Sequence, residues 1–270
     1  MTTPDARQSA PPLCRLVLAT VLLSLAGNAL SPAADWVDVR VTGPFVCRAS
    51  FPLQAYEPLL DDLAALQEDL VRVLGIPEAE ERIELYLFRS EGEYRRYLQE
   101  FFSDLPYRRA LYIKRGGPGT VLAFDSRQLA VDLRHECTHA LLHAALPMVP
   151  LWLDEGLAEF FEVAPARRAY GSPHLSRVRW NARFGVKAAI GELEKKASVE
   201  EMRGPEYRDY WAWVHFMLYG SPEGHAELVL FLRDIASGAP PGSLELRLMR
   251  RAPGIDRKYL AHFREWTPRR

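Results

Sequence analysis

Apolar and polar residues alternate through "WVDVRVTGPFVCRASF", residues 36–51, and the alternation is broken at Gly43-Pro44. This pattern predicts two short strands or a hairpin. The spacing then changes. Across 52–76 apolar residues recur at Leu59, Leu63, Leu66, Leu70 and Val73, three or four apart, and Gly75 follows. That is a helix with a glycine stop. "RIELYLF" (82–88) predicts a strand, "EGEYRRYLQEFF" (91–102) a short helix, and "RALYIKRGGPGTVLAFDS" (109–126) two strands around a Gly-Pro turn. A longer helix is expected over about 127–146, capped by Asp125 or Ser126 and ended by Pro147. A second begins near Pro150 with "PLWLDEGLAEFFEV". Residues 165–200 are mixed and basic and show no clear period. Helical spacing returns at 205–220 and 223–236, and the tail predicts one or two more helices. Strands first and helices afterwards predict an α+β fold: a small mixed sheet carrying the 127–146 helix, followed by a helical lobe.

The N-terminus departs from this pattern. Arg15 precedes an apolar run from Leu16 to Ala26, and small residues follow, with cleavage expected after Ala29 or Ala33. Residues 1–33 are expected to be a secretory signal peptide. Export to the periplasm or the exterior follows, with the working domain at 34–270 divided into a strand-rich lobe (34–146) and a helical lobe (147–270). The apolar run is short of the roughly 20 residues that span a bilayer, though an uncleaved segment would hold the chain at a membrane. Cys14 lies before that run, so it does not read as a lipidation cysteine. A net charge of −1 gives no basic surface for nucleic acid. Cys47 and Cys137 would remain in the mature chain, either bridged or as buried free thiols.

The chemistry is concentrated in "DLRHECTHALLH", 132–143. Residues four apart share a helix face, so His135 and His139 point the same way and can share one Zn²⁺ ion. Glu136, one position on, reaches a water on that ion as general base. A catalytic zinc commonly has three protein ligands. His143 lies about 12 Å along the axis from His135, too far to join the pair. Glu155, after a helix end and a turn, is the expected third ligand. Glu159, one turn later, is expected to hold the outer nitrogen of a ligand histidine.

"HECTH" followed by "LWLDEGLAEFFE" resembles the gluzincin metallopeptidases, the thermolysin and aminopeptidase N superfamily, and especially the peptidase-MA-like domains of bacterial secreted proteins. The specific motifs cover about thirty residues. In that family the Glu of W-L-[ND]-E-G-x-A is a zinc ligand, which falls on Glu155, and an acid four later supports a ligand His, which falls on Glu159. The stretch "EYRDYWAWVHF" resembles the segment that holds a transition-state tyrosine. Tyr207 aligns best with it, Tyr210 is the alternative, and His215 is more distant. The resemblance also implies that substrate backbone pairs with an edge strand, here "GTVLAFDS" at 119–126. The implied activity is hydrolysis of a peptide or protein substrate by zinc-activated water, with Glu136 as base. The rival expectation is a zinc-binding envelope protein with little or no turnover.

Overall fold

The computed structural model describes residues 36–196 and 204–267. The expected signal segment, its cleavage sites and Cys14 lie outside them. No helix among the described residues is long and apolar enough to cross a membrane.

Five strands come first: β1 (Asp38–Thr42), β2 (Phe45–Ala49), β3 (Ile83–Phe88), β4 (Ala110–Ile113) and β5 (Thr120–Phe124). They form one sheet in the order β1-β2-β3-β5-β4. The β1–β2 and β4–β5 pairs are antiparallel hairpins, and β2–β3 and β3–β5 are parallel. Parallel neighbours need a crossover, supplied by α1 (Glu57–Leu74) between β2 and β3 and by α2 (Glu91–Phe101) between β3 and the final hairpin.

Both faces of the sheet are covered, which is why β3 and β5 read as nearly continuous apolar runs. Ile83, Leu85, Leu87, Val121 and Ala123 face the main core. Tyr86, Phe88, Leu122 and Phe124 face the other way, against Tyr94, Tyr97 and Leu98 of α2. The main core is roofed by α1 and α3 (Leu129–Ala145), then by α4 (Leu151–Phe161), α5 (Leu175–Arg183), α6 (Ile190–Glu194), α7 (Gly204–Tyr219), α8 (Pro222–Ala236), α9 (Leu244–Arg251) and α10 (Ile255–Glu265). The α+β reading holds, with strands among the described residues confined to the first half of the chain.

One local expectation changes, and two points left open are decided. The cap of α3 is Gln128, with no side-chain bond to the helix; Ser126 instead accepts the Gln128 N–H at 3.1 Å. The unread segment after 165 contains α5 and α6. Cys47 and Cys137 are buried free thiols.

The edge expectation also changes. β5 is hydrogen-bonded on both sides, to β3 and to β4, so 119–126 has no free edge. The free edge beside α3 is β4. The chain returns from the Gly-Pro turn into the sheet and leaves the outgoing strand of the hairpin outermost.

His215 lies far from any catalytic role in packing terms. It is fully buried among Trp211, Phe263, Trp266 and His262, and its Nε2 lies 3.1 Å from the Ala169 carbonyl. Burial pushes its imidazole down to about 3, so it is neutral and structural.

Candidate metal centre

α3 crosses beneath the sheet edge with its first turn tied to β4. Arg109 donates to both oxygens of Asp132 at 2.6 and 2.5 Å. Further along, buried Arg134 donates to Asp62 on α1 at 2.8 Å and to the Glu162 carbonyl at 2.6 Å. The helix is thereby fixed to the sheet, to α1 and to the end of α4, so the side chains between those anchors are held in register.

Pro147 and Pro150 end α3 and start α4, which runs back alongside it. Two imidazoles and one carboxylate meet across this gap. His135 Nε2 and His139 Nε2 are 3.3 Å apart. Glu155 Oε2 lies 3.7 Å from the first and 3.8 Å from the second. Tetrahedral zinc with bonds of about 2.0–2.1 Å has ligand–ligand edges of about 3.4 Å, and the circle through these three atoms has a radius of about 2.1 Å. The opening thus has the size of one small divalent ion.

The outer nitrogens are also accounted for. His135 Nδ1 is 2.9 Å from Glu162 Oε2. His139 Nδ1 is 3.0 Å from Asp154 Oδ1, off the line of an ideal hydrogen bond. A carboxylate at each Nδ1 favours the Nδ1–H tautomer and turns both Nε2 lone pairs inward. When both rings are neutral, three electron-rich atoms face one another, an arrangement that a proton or a metal cation satisfies. Around His135, burial pulls the imidazole pKa down, but Glu155 and Glu162 outweigh it and hold it well above the ordinary histidine value. His139 is raised as well: burial opposes, and Asp154 prevails. Burial pushes the Asp154 carboxyl up, but His139 and His143 bring it far below the usual carboxylate range.

Two of these carboxylates were missed in the sequence. Asp154 immediately precedes Glu155. Glu162 lies seven residues after it, on the same helical face continued beyond the last turn of α4. Glu159, expected on a ligand histidine, pairs instead with His174 Nε2 at 2.9 Å. It lines the same cleft as His135, but the outer nitrogen of His135 is taken by Glu162, whose backbone continues the helical course of α4 past Phe161. His143 does not reach the triangle. Its Nε2 lies 3.1 Å from Asp154 Oδ2, and its ring stacks on Tyr112 at 5.7 Å.

Glu136 points to the sheet edge, where its Oε2 accepts the Tyr112 N–H of β4 at 2.8 Å. A cleft of about 570 Å³ opens here, lined by His135, Glu136, Glu159, Glu162, Ala110 and Arg108 among others. Since N–H groups alternate along a strand, Tyr112 and Ala110 share the free edge, and Ala110 lines the cleft.

Helix α7 packs along the other side of α4, with a close approach at Gly156. A Cβ on Gly156 would meet the Tyr210 carbonyl oxygen and Val214 Cγ2, each at 2.9 Å. The glycine after Glu155 therefore allows α7 to press onto α4. Half-buried Tyr207 is placed within the fields of Glu155 and Arg108. Burial and Glu155 raise its pKa, so the hydroxyl keeps its proton at neutral pH. Tyr210 is fully buried, with an unpartnered hydroxyl and a pKa pushed up to about 12 by burial. Gly156→Ala is expected to destabilise the protein by about 1–3 kcal/mol. Helix propensity gains about 1 kcal/mol from this change, but overpacking against rigid backbone costs more. Urea unfolding at neutral pH measures the balance, and an increase in stability would mean that α7 is not pinned at Gly156.

No family model matches the sequence. No curated protein matches it either. Among solved structures, the M1 zinc metallopeptidase from Deinococcus radiodurans is similar to this chain at 14% identity, with a TM-score of 0.37, over 86% of this chain and 52% of that one. The chain spans about half the length of that neighbour. The chemistry assigned below rests on this chain's own side chains.

Proposed function

We propose that the chain is a zinc-dependent peptidase, exported from the cytoplasm, that hydrolyses peptide or protein substrates in the cleft beside β4. The observation that carries this reading is the convergence of His135 Nε2, His139 Nε2 and Glu155 Oε2 on one ion-sized opening, with Glu136 lining the cleft beside His135. His135, His139 and Glu155 would hold the ion, and Glu162 and Asp154 would orient the two imidazoles. When bound, zinc supplies Lewis acidity at the scissile carbonyl and makes water acidic enough to react near neutral pH.

The remaining steps belong to the protein. The Ala110 end of the β4 edge, which lines the cleft, offers backbone groups to an extended substrate, a pairing that fixes the scissile bond relative to α3. Glu136 takes a proton from the attacking water as the new C–O bond forms, then delivers it to the leaving amine as the C–N bond breaks. Tyr207, protonated, donates to the developing oxyanion.

A quenched fluorogenic peptide library tests the whole reading. Cleavage abolished by a chelator and restored by zinc is expected. A stoichiometrically zinc-loaded protein that cleaves nothing in the library would favour the binding-module alternative. Tyr207→Phe is expected to lower kcat about 100-fold with zinc content unchanged. An unaffected rate would remove Tyr207 from the oxyanion site.

A further inference from the structure

The segment between Glu162 and α6 is basic and free of acidic side chains. From Val163 to Gly191 there are six Arg or Lys residues and no Asp or Glu, in a protein whose net charge is −1. Two of the six are committed: Arg168 pairs with Asp69 at 2.5 Å, and Lys187 with Asp256 of α10 at 2.8 Å. No ion pair between Arg177, Arg179 or Arg183 and an acidic side chain occurs among the described residues. These three lie on α5, whose Leu175, Val178 and Ala182 are buried.

The outward face of α5 is apolar as well as basic. Trp180 is 52% exposed, Phe184 66% and Val186 55%. The Trp180 and Phe184 rings lie 4.5 Å apart, and the Arg177 guanidinium sits 5.3 Å from the Trp180 ring. This presentation is built into the backbone. Gly185, at φ 74°, ends the helix. The Val186 N–H bonds the Asn181 carbonyl and the Gly185 N–H the Ala182 carbonyl, a Schellman turn. Such a turn commonly folds its last apolar residue back onto the helix. Here Val186 remains in solvent beside Phe184.

We propose that the tip of α5 is a docking surface for an anionic lipid bilayer. Trp180, Phe184 and Val186 would enter the headgroup–acyl boundary, while Arg177, Arg179 and Arg183 meet lipid phosphates. Clustered arginines give the charge complementarity, and aromatic with aliphatic tips give the apolar burial, the pairing that interfacial membrane segments use. A second copy fits less well, because a twofold contact would set these arginines against their own equivalents. Nucleic acid would accept the arginines and stack on rings, but it leaves Val186 without an apolar partner. This surface is independent of the peptidase reading.

The full-length protein and two variants, Trp180→Ser/Phe184→Ser and Arg177→Gln/Arg183→Gln, should be sedimented with vesicles of phosphatidylcholine with and without phosphatidylglycerol. Any contribution of residues 16–26 is common to all three proteins, so the differences report α5. Wild type is expected to bind the anionic vesicles at least about tenfold more tightly than either variant. Its Trp180 emission, isolated by difference from Trp180→Phe, is expected to be quenched by brominated lipid. Equal partitioning of all three proteins, or no wild-type binding, overturns the proposal. So does self-association of wild type that the Trp180→Ser/Phe184→Ser variant abolishes without any lipid-dependent difference.

Discussion

Glu136→Gln is expected to lower peptide turnover by about 100- to 10,000-fold while zinc content stays near one ion per chain. The substitution is close to isosteric, so the amide oxygen can still accept the Tyr112 N–H that holds the native carboxylate at 2.8 Å. The fold and the three ligand atoms have no reason to move. The variant lacks only a group that can take the proton of the attacking water and pass it to the leaving amine. Metal analysis, unfolding midpoint and turnover measured on one preparation separate the outcomes. Retained zinc with lost turnover is the expected pattern. Robust turnover would remove Glu136 as the base, and lost zinc would mean that Glu136 supports the metal site through the α3–β4 contact.

The parts of this arrangement that were legible in the sequence are those fixed by short-range geometry. His135, Glu136 and His139 lie on one helical turn, and α3 has the length to present them. Glu155 was within reach because α4 starts directly after the prolines. Details that depend on how helices pack were harder to read. Helical spacing placed Glu159 and Glu162 on the same face as Glu155, but only the packing of α4 against α3 and His174 decides which of them meets His135. Asp154 lies on a neighbouring face of α4. It becomes relevant because His139 and His143, one turn apart on α3, straddle it.

Sheet order shows the same limit on a larger scale. Every strand was anticipated as a segment, yet which strand lies outermost depends on pairing between β3 and β5, more than thirty residues apart in register. β4 and β5 are both apolar because both sheet faces are buried, so composition did not distinguish edge from interior. The helix α5 was unread for a different reason. Its buried stripe is only Leu175, Val178 and Ala182, and its exposed side carries Trp180 and Phe184, which obscures the usual polar face.

Glu155→Ala is expected to empty the metal centre on dialysis, whereas Asp154→Asn and Glu162→Gln are expected to weaken zinc binding only about 10- to 100-fold. Glu155 is buried, and it is the one anion whose oxygen closes the triangle with the two Nε2 atoms. Without it an incoming dication would meet two neutral imidazoles in a partly desolvated gap, with one ligand fewer and no compensating charge in direct contact. Asp154 and Glu162 act on the far nitrogens, so their amide replacements leave three ligands in place and alter only ring orientation and basicity. Proton competition supplies an internal control. His135 and His139 are both held above the ordinary histidine value in the metal-free protein. Zinc must displace those protons, so wild-type affinity should rise with pH as the histidines lose them. That gain should persist in Glu162→Gln with a shifted midpoint, because removal of the Glu162 charge lowers the His135 pKa. Zinc retained stoichiometrically by Glu155→Ala after dialysis would show that the carboxylate is not a ligand and that the ion is held by a different set of atoms.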